Sequence, residues 1–143
     1  GFAMFFNMKN LKWCNFFDDN FFLYLEEIDL CKRLRLKNTK IFIDPSIKVR
    51  HFGGSSHIPE INRPMELSRN WHWMWSKFYF NKKHNGYVFA LIKILPKFFS
   101  SLLKFIFYLI FLKKYKSEIY KYRLLGIINS VLLKKSWYRP TLN

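Results

Sequence analysis

The amino-acid sequence predicts an α/β fold in which short strands and one acidic helix are followed by a helical tail. Three short apolar or alternating runs are typical of strands, at residues 1–6, 40–43 and 47–51. Apolar side chains recur with helical spacing from about Leu25 to Lys37, and again through most of residues 59–135. Half of the 143 residues are apolar and a fifth are aromatic, which excludes a disordered chain.

The strands are predicted from their side-chain patterns and from the turn between two of them. Residues 1–6 are almost wholly apolar, which is typical of a strand that is buried on both faces. Ile47 and Val49 would face one side of a sheet, and the basic residues between them the other. Residues 44–46 read Asp-Pro-Ser, a combination that favours a turn.

The acidic helix is predicted within the stretch FFLYLEEIDLCKR, residues 21–33. Three of the nine acidic residues of the chain fall there within four positions. A 3.6-residue period places Glu26, Asp29 and Arg33 on one polar face, with Asp29 and Arg33 spaced for an ion pair. The same period places Glu27 on the apolar face, in line with Leu30. Glu27 is therefore the carboxylate that the pattern singles out.

Two interpretations of Glu27 stay open on periodicity alone. A carboxylate on a packed face must find a partner or raise its pKa, and general bases commonly arise in this way. Alternatively, Glu27 is an acid in the first turn of a helix, where it interacts favourably with the helix dipole.

The whole chain has a formal net charge of +16, and its basic residues are concentrated in the second half. From Lys77 onward there are fourteen lysines and arginines and a single acid, Glu118. The first sixty residues are nearly balanced, with nine basic and seven acidic side chains. This asymmetry predicts an anionic partner surface, either phospholipid or nucleic acid.

The apolar segment from Tyr87 to Leu112 predicts a helix that lies in the plane of a membrane surface. Its polar residues form one narrow stripe at helical spacing: Lys93, Lys97, Ser100, Ser101, Lys104 and Tyr108. Lysines on one face and phenylalanine, leucine and isoleucine on the rest are typical of an interfacial helix facing anionic lipid. A buried helix of a bundle is the alternative, and the lysines weigh against a membrane span.

Two further features of the sequence are ambiguous. The aromatic helix within residues 59–84, which contains Trp71, Trp73 and Trp75, suits core packing, a membrane-interface belt or a sugar-stacking platform. His51 ends a predicted strand before the Gly53-Gly54 loop, whose backbone amides could approach an anion closely. His51 is thus either a ligand of a metal or phosphate or an ordinary hydrogen-bonded residue.

These pieces together resemble the C-terminal half of a family-2 glycosyltransferase of the GT-A fold, of the rhamnosyltransferase-like kind. The segment FDDNFFLYLEEIDLCKR, residues 17–33 with its leading Phe, is similar to the family signature FDE-x-FF-x-Y-x-ED-x-DLC-x-R. The Asp44-Pro45 step and the VRHFGGSS loop are similar to the stretch that follows it in the family. The likeness extends to the aromatic helix and the closing SWYRP and covers nearly all of the chain. It implies an acceptor-side part of the catalytic domain at 1–58 and an aromatic, basic amphipathic helical tail at 59–143.

The resemblance also implies roles for individual residues. Glu27 takes the place of the general base that deprotonates the acceptor hydroxyl in inverting transfer, although the family has Asp at this position. Acceptor-binding or supporting roles are implied for Tyr24, Glu26, Asp29 and Arg33. His51 would lie near the donor diphosphate and its divalent cation, Mg²⁺ or Mn²⁺. Independently of the resemblance, the polar stripe predicts that Lys93, Lys97 and Lys104 contact the membrane.

The implied activity is transfer of a sugar from a nucleotide-sugar donor to a hydroxyl of a lipid-linked or polysaccharide acceptor, peripherally at the cytoplasmic face of the cell membrane. The sequence contains neither a spaced Asp-x-Asp nor a Gly-rich phosphate loop that opens a helix. We therefore expect these residues alone to be inactive.

Two other classes of function remain as alternatives. The first is a basic non-enzymatic module that binds a membrane or nucleic acid, although nucleic acid is disfavoured because the lysines stripe apolar helices. The second is a structural membrane-associated protein without catalytic chemistry.

Overall fold

The computed structural model describes residues 3–11, 16–50 and 61–139, and these residues fold as helices without any strand. The predicted α/β class is therefore wrong for the described residues. After a short 3-10 helix at Met8–Asn10 come four α-helices: α1 at Glu26–Leu36, α2 at Asn62–Asn85, α3 at Tyr87–Ile110 and α4 at Lys114–Val131. The predicted helical tail thus makes up most of the structure.

The predicted strands fail because the described residues offer them no neighbouring strand. Residues 40–43 and 47–50 carry no strand pairing, and the side chains of Phe42 and Ile43 are 83% and 90% exposed. An isolated extended segment has neither ladder hydrogen bonds nor a buried face to stabilise it. The turn between them does form, since Asp44 Oδ1 accepts hydrogen bonds from the backbone and hydroxyl of Ser46.

Helix α1 starts from an unusual backbone. Tyr24 and Leu25 both have left-handed φ angles, 68° and 71°, and Leu25 caps the helix without a side-chain hydrogen bond. Residues 18–20, ahead of the helix, close a local turn in which the backbone N–H of Asn20 donates to Asp18 Oδ1. The helix ends at Leu36, and Asn38 shortly beyond it has a left-handed backbone with a φ of 55°.

The three long helices pack against one another. Helices α2 and α3 are joined at Gly86, whose φ of 87° suits glycine, and α3 continues unbroken through Pro96. The centre of the bundle is formed by one apolar cluster of five buried side chains: Met74, Phe78, Ala90, Ile94 and Ile127. Trp71, Trp75 and Phe78 are buried, so the aromatic stripe of α2 serves core packing.

The segments on either side of the bundle are bound to α2 by side-chain hydrogen bonds. Ser76 Oγ donates to the Leu23 carbonyl ahead of α1, and Trp75 Nε1 donates to the Lys134 carbonyl behind α4. Helix α1 buries Leu30 and Leu34 in a second, smaller apolar cluster with Leu11. Among the described residues, no helix is both long enough and apolar enough to cross a bilayer.

Candidate functional site

A cleft of about 280 Å³ lies where the segment before α1 meets the middle of α2. It is lined by Tyr24, Arg69, Asn70 and Trp73. The rings of Tyr24 and Trp73 meet edge to face, with their centroids 5.2 Å apart. The left-handed backbone at Tyr24 and Leu25 directs the chain into α1 beside this cleft. Bulky residues in that conformation typically cost about 1–3 kcal/mol each and tend to occur at binding and catalytic sites.

The side-chain amide of Asn70 is held by hydrogen bonds within α2 and from α4. Asn70 donates from Nδ2 to the Glu66 carbonyl, while its Oδ1 accepts a hydrogen bond from Arg123 Nε of α4 at 2.8 Å. Lys77 places its ammonium 4.2 Å from the centroid of the Trp73 ring. Asn70 and Trp73 of the cleft are therefore each in contact with a basic side chain.

Glu26 is the first-turn carboxylate whose charge reaches the cleft. Burial raises the pKa of the Tyr24 phenol, the Arg69 guanidinium opposes this shift and the Glu26 carboxylate adds to it. Glu26 Oε2 is shielded from solvent and makes no hydrogen bond within the described part of the chain. A buried carboxylate oxygen of this kind is costly unless a ligand satisfies it.

Glu27, the predicted base, lies next to Glu26 in the first turn of α1 and is half-buried. Its Oε2 atom is shielded from solvent, in agreement with the predicted orientation toward a packed side of the helix. The side chains of consecutive helical residues point about 100° apart, so those of Glu26 and Glu27 face different surroundings. The Glu26 carboxylate acts electrostatically on the phenol of Tyr24, which lines the cleft. The position of Glu27 relative to an acceptor is still a prediction.

Asp29 is fully buried and surrounded by cations, although periodicity placed it on a polar face. It accepts hydrogen bonds from Arg33 Nε at 2.8 Å and Lys83 Nζ at 2.9 Å, and its Oδ1 lies 2.8 Å from His84 Nε2. Burial alone would raise the pKa of Asp29, but the hydrogen bonds from Lys83, Arg33 and His84 outweigh it and lower that pKa. The predicted pair of Asp29 with Arg33 is confirmed.

Lys83 joins this cluster to the loop ahead of α1. Its ammonium lies 2.7 Å from Asp18 Oδ2, which also accepts a hydrogen bond from the Tyr79 hydroxyl at 2.9 Å. Arg33 donates to the Phe16 carbonyl in the same loop. Asp29 and Arg33 therefore attach α1 and its preceding loop to the end of α2, and their supporting role in a catalytic site stays a prediction.

The described residues contain no ready cluster of side chains for a metal ion. No group of three histidine, cysteine or acidic side chains among them is arranged as metal ligands. The ammonium of Lys83 occupies the space between Asp18 and Asp29, where two carboxylates would otherwise attract a metal. His51 lies outside the described residues, so its predicted place beside a diphosphate and the Mg²⁺ or Mn²⁺ requirement stay predictions.

Sequence reasoning missed the residues that α2 contributes to both clusters. Lys83 and His84 lie more than fifty positions beyond Asp29, and no local pattern links them to it. Arg69 and Asn70 carried no signal at all. The one available indication was the Trp71–Trp75 run, for which a sugar-stacking platform was one interpretation; Trp73 alone of its three tryptophans lines the cleft.

The predicted membrane lysines lie along α3. Lys93, Lys97 and Lys104 are exposed, while Ser101 of the same stripe is buried against the bundle. Tyr108 stacks on Tyr120 of α4, with ring centroids 5.6 Å apart. The three lysines therefore lie on the flank of α3, beside the side that packs against the other helices, and the opposite, apolar side is exposed.

No protein-family model, curated protein or solved structure matches this chain. Its function must therefore be inferred from its own residues and their arrangement.

Proposed function

We propose that this chain forms the acceptor-side part of a glycosyltransferase that moves a sugar from a nucleotide-sugar donor to a hydroxyl of a lipid-linked or polysaccharide acceptor. The observation that carries the proposal is the cleft of Tyr24, Arg69, Asn70 and Trp73 beside the first turn of α1. The resemblance of residues 17–33 to the acceptor-side signature of such enzymes points to the same place.

The composition of the cleft suits a sugar acceptor. The apolar face of a pyranose ring packs on an aromatic side chain, and its hydroxyls require a few fixed polar partners. Trp73 and Tyr24 supply the aromatic surface, and Asn70 and Arg69 the hydrogen-bonding groups. A volume of about 280 Å³ is at the small end of ligand sites and suits the terminal sugar of a longer acceptor.

Glu27 would act as the general base and Glu26 as the group that orients the acceptor. In the inverting reaction the acceptor oxygen forms a bond to the anomeric carbon of the donor while the bond from that carbon to the diphosphate breaks. The hydroxyl proton passes to the carboxylate of Glu27, and the nucleoside diphosphate leaves. A base must lie within hydrogen-bond reach of the proton it accepts.

Acceptor binding is testable with this chain alone, because the cleft lies within it. Tryptophan fluorescence during titration with oligosaccharide acceptor fragments should report saturable binding. We expect Trp73→Ala and Arg69→Ala to weaken that binding on the order of tenfold or more, as removal of a central aromatic or charged contact commonly does. Trp137→Ala, at a tryptophan 63% exposed and outside the cleft, is the matched control. Binding that survives both cleft variants would contradict the proposed acceptor site.

The assignment of the base requires a chain that also binds the donor. There, Glu27→Gln should lower kcat by about 100-fold or more, the usual contribution of a general base, and should leave donor affinity unchanged. Glu26→Gln should mainly raise KM for the acceptor, since it removes an orienting contact. Near-normal turnover by the Glu27→Gln enzyme would refute the assignment.

A further inference from the structure

The outer face of α3 is a continuous apolar surface. Six of its side chains are between 44% and 70% exposed: Ile92, Leu95, Phe99, Leu103, Ile106 and Ile110. They follow one another at spacings of three and four residues, so they form one stripe along the helix. The stripe is opposite the side that packs against α2 and α4, where Ala90, Ile94 and Ser101 are buried. Soluble monomers rarely leave a surface of this length uncovered.

The end of α3 continues this surface into a basic turn. Phe111 and Leu112 are 58% and 88% exposed at the tip between α3 and α4. They are followed directly by Lys113, Lys114 and Lys116. Helix α3 contains no acidic residue, and Glu118, the next acid along the chain, is already paired with Arg63 at 2.8 Å. The positive charge beside the apolar surface therefore has no acidic partner on α3 itself.

We propose that α3 and the α3–α4 tip dock onto an anionic phospholipid surface, with the helix lying in the plane of the headgroups. The apolar stripe would enter the boundary between headgroups and acyl chains over a helix about 36 Å long. Lys93, Lys97 and Lys104, on the flank, would extend their aliphatic stems toward the lipid phosphates, as would the lysines of the tip. This docking does not depend on the proposed sugar transfer.

The positive charge beside the apolar stripe favours a bilayer over the other partners that could cover this face. A second copy of this chain would bring two lysine-rich helices side by side with no acid on either α3, and like charges would oppose the contact. A nucleic acid would satisfy the lysines but would leave the apolar stripe in water. An anionic bilayer satisfies both the apolar and the basic parts of the surface.

Flotation with phosphatidylcholine vesicles, with and without phosphatidylglycerol, tests the proposal. We expect the chain to float with the anionic vesicles and to bind neutral vesicles far more weakly. Leu103→Glu, at a side chain 68% exposed, should weaken the binding on the order of tenfold, since it puts a charge into the apolar boundary. Lys93→Gln, Lys97→Gln and Lys104→Gln together should weaken it several-fold and reduce its dependence on salt.

Leu36→Glu is the matched control, because Leu36 is 70% exposed on α1 and the change in charge is the same. It should float like the unaltered chain, and circular dichroism of all variants should show the same helix content. Equal losses for Leu36→Glu and Leu103→Glu would overturn the proposal, since net charge alone would then explain binding. It would equally be overturned by absent flotation, by a dimer that Leu103→Glu dissociates, or by oligonucleotide binding in place of flotation.

Discussion

Gly126 of α4 lies directly against the main-chain carbonyl of Trp71 in α2, so a Cβ at residue 126 would overlap that oxygen. Gly126 is buried, and Ile127 beside it enters the core cluster of the bundle. A glycine in a helix usually lowers stability relative to alanine, and here it allows two helices to approach closely. The α2–α4 contact in turn fixes the cleft, because Arg123 of α4 holds Asn70 of α2.

We expect Gly126→Ala to lower the free energy of unfolding by about 1–3 kcal/mol, the usual cost of forcing extra volume into a packed site. Helix propensity alone would have the opposite sign and would stabilise the variant by about 0.5–1 kcal/mol. The sign of the change therefore decides whether the close approach matters. Urea unfolding followed by tryptophan fluorescence measures it. Lys121→Ala, at an exposed position of the same helix, should change stability by less than about 0.5 kcal/mol.

The helices could be predicted from the sequence because their signals are local. The apolar periodicity that predicts them is read within a few residues. The strands could not be predicted from alternation alone, since alternation states which way side chains point and not whether a partner strand exists. Ile47 and Val49 alternate as a strand should and are both more than half exposed.

In the candidate site, too, contacts between residues close in sequence could be predicted, and contacts between distant residues could not. The spacing of Asp29 and Arg33 predicted their ion pair correctly. The burial of Asp29 could not be predicted, because it depends on Lys83 and His84 at the far end of another helix. A carboxylate on a polar helical face can thus be fully buried when that face packs against cations.

Asp29→Asn should strongly destabilise the protein. The substitution keeps the shape of the side chain but removes the negative charge that Arg33 and Lys83 share. Breaking a buried ion pair from one side typically costs about 3–5 kcal/mol, and Lys83 retains Asp18 as a partner, so a loss of about 3 kcal/mol is expected. The pKa of Asp29 is lowered in the folded chain, so its contribution is complete above its ordinary pKa and is lost as the pH falls through the folded value.

Asp44→Asn provides the control for this experiment, because Asp44 is exposed and asparagine can keep its hydrogen bonds with Ser46. Chemical unfolding of both variants near neutral pH should show a large loss for Asp29→Asn and almost none for Asp44→Asn. Equal stability of the two variants would mean that the charge of Asp29 does not contribute to holding α1 in place.

The buried His72 predicts a separate dependence of stability on pH. Burial lowers the pKa of His72 to about 4, the Tyr138 carbonyl partly opposes this and Arg139 adds to it. His72 Nε2 lies 2.8 Å from the Tyr138 carbonyl and Nδ1 lies 3.2 Å from Ser136 Oγ, so the neutral ring can donate to the first and accept from the second. A second proton on the ring would remove its acceptor and place a charge in the core.

Between the ordinary pKa of histidine, 6.5, and the folded value of about 4, the unfolded chain binds more protons at residue 72 than the folded chain does. The stability that neutral His72 allows is therefore complete above pH 6.5 and declines as the pH falls toward 4, by about 3 kcal/mol at full extent. His72→Gln keeps one donor and one acceptor but does not titrate. Urea unfolding across this range should give a shallower decline for His72→Gln than for the unaltered chain, with the other histidines unchanged in both. Parallel pH profiles of the two proteins would show that protonation of His72 does not weaken the attachment of the C-terminal segment to α2.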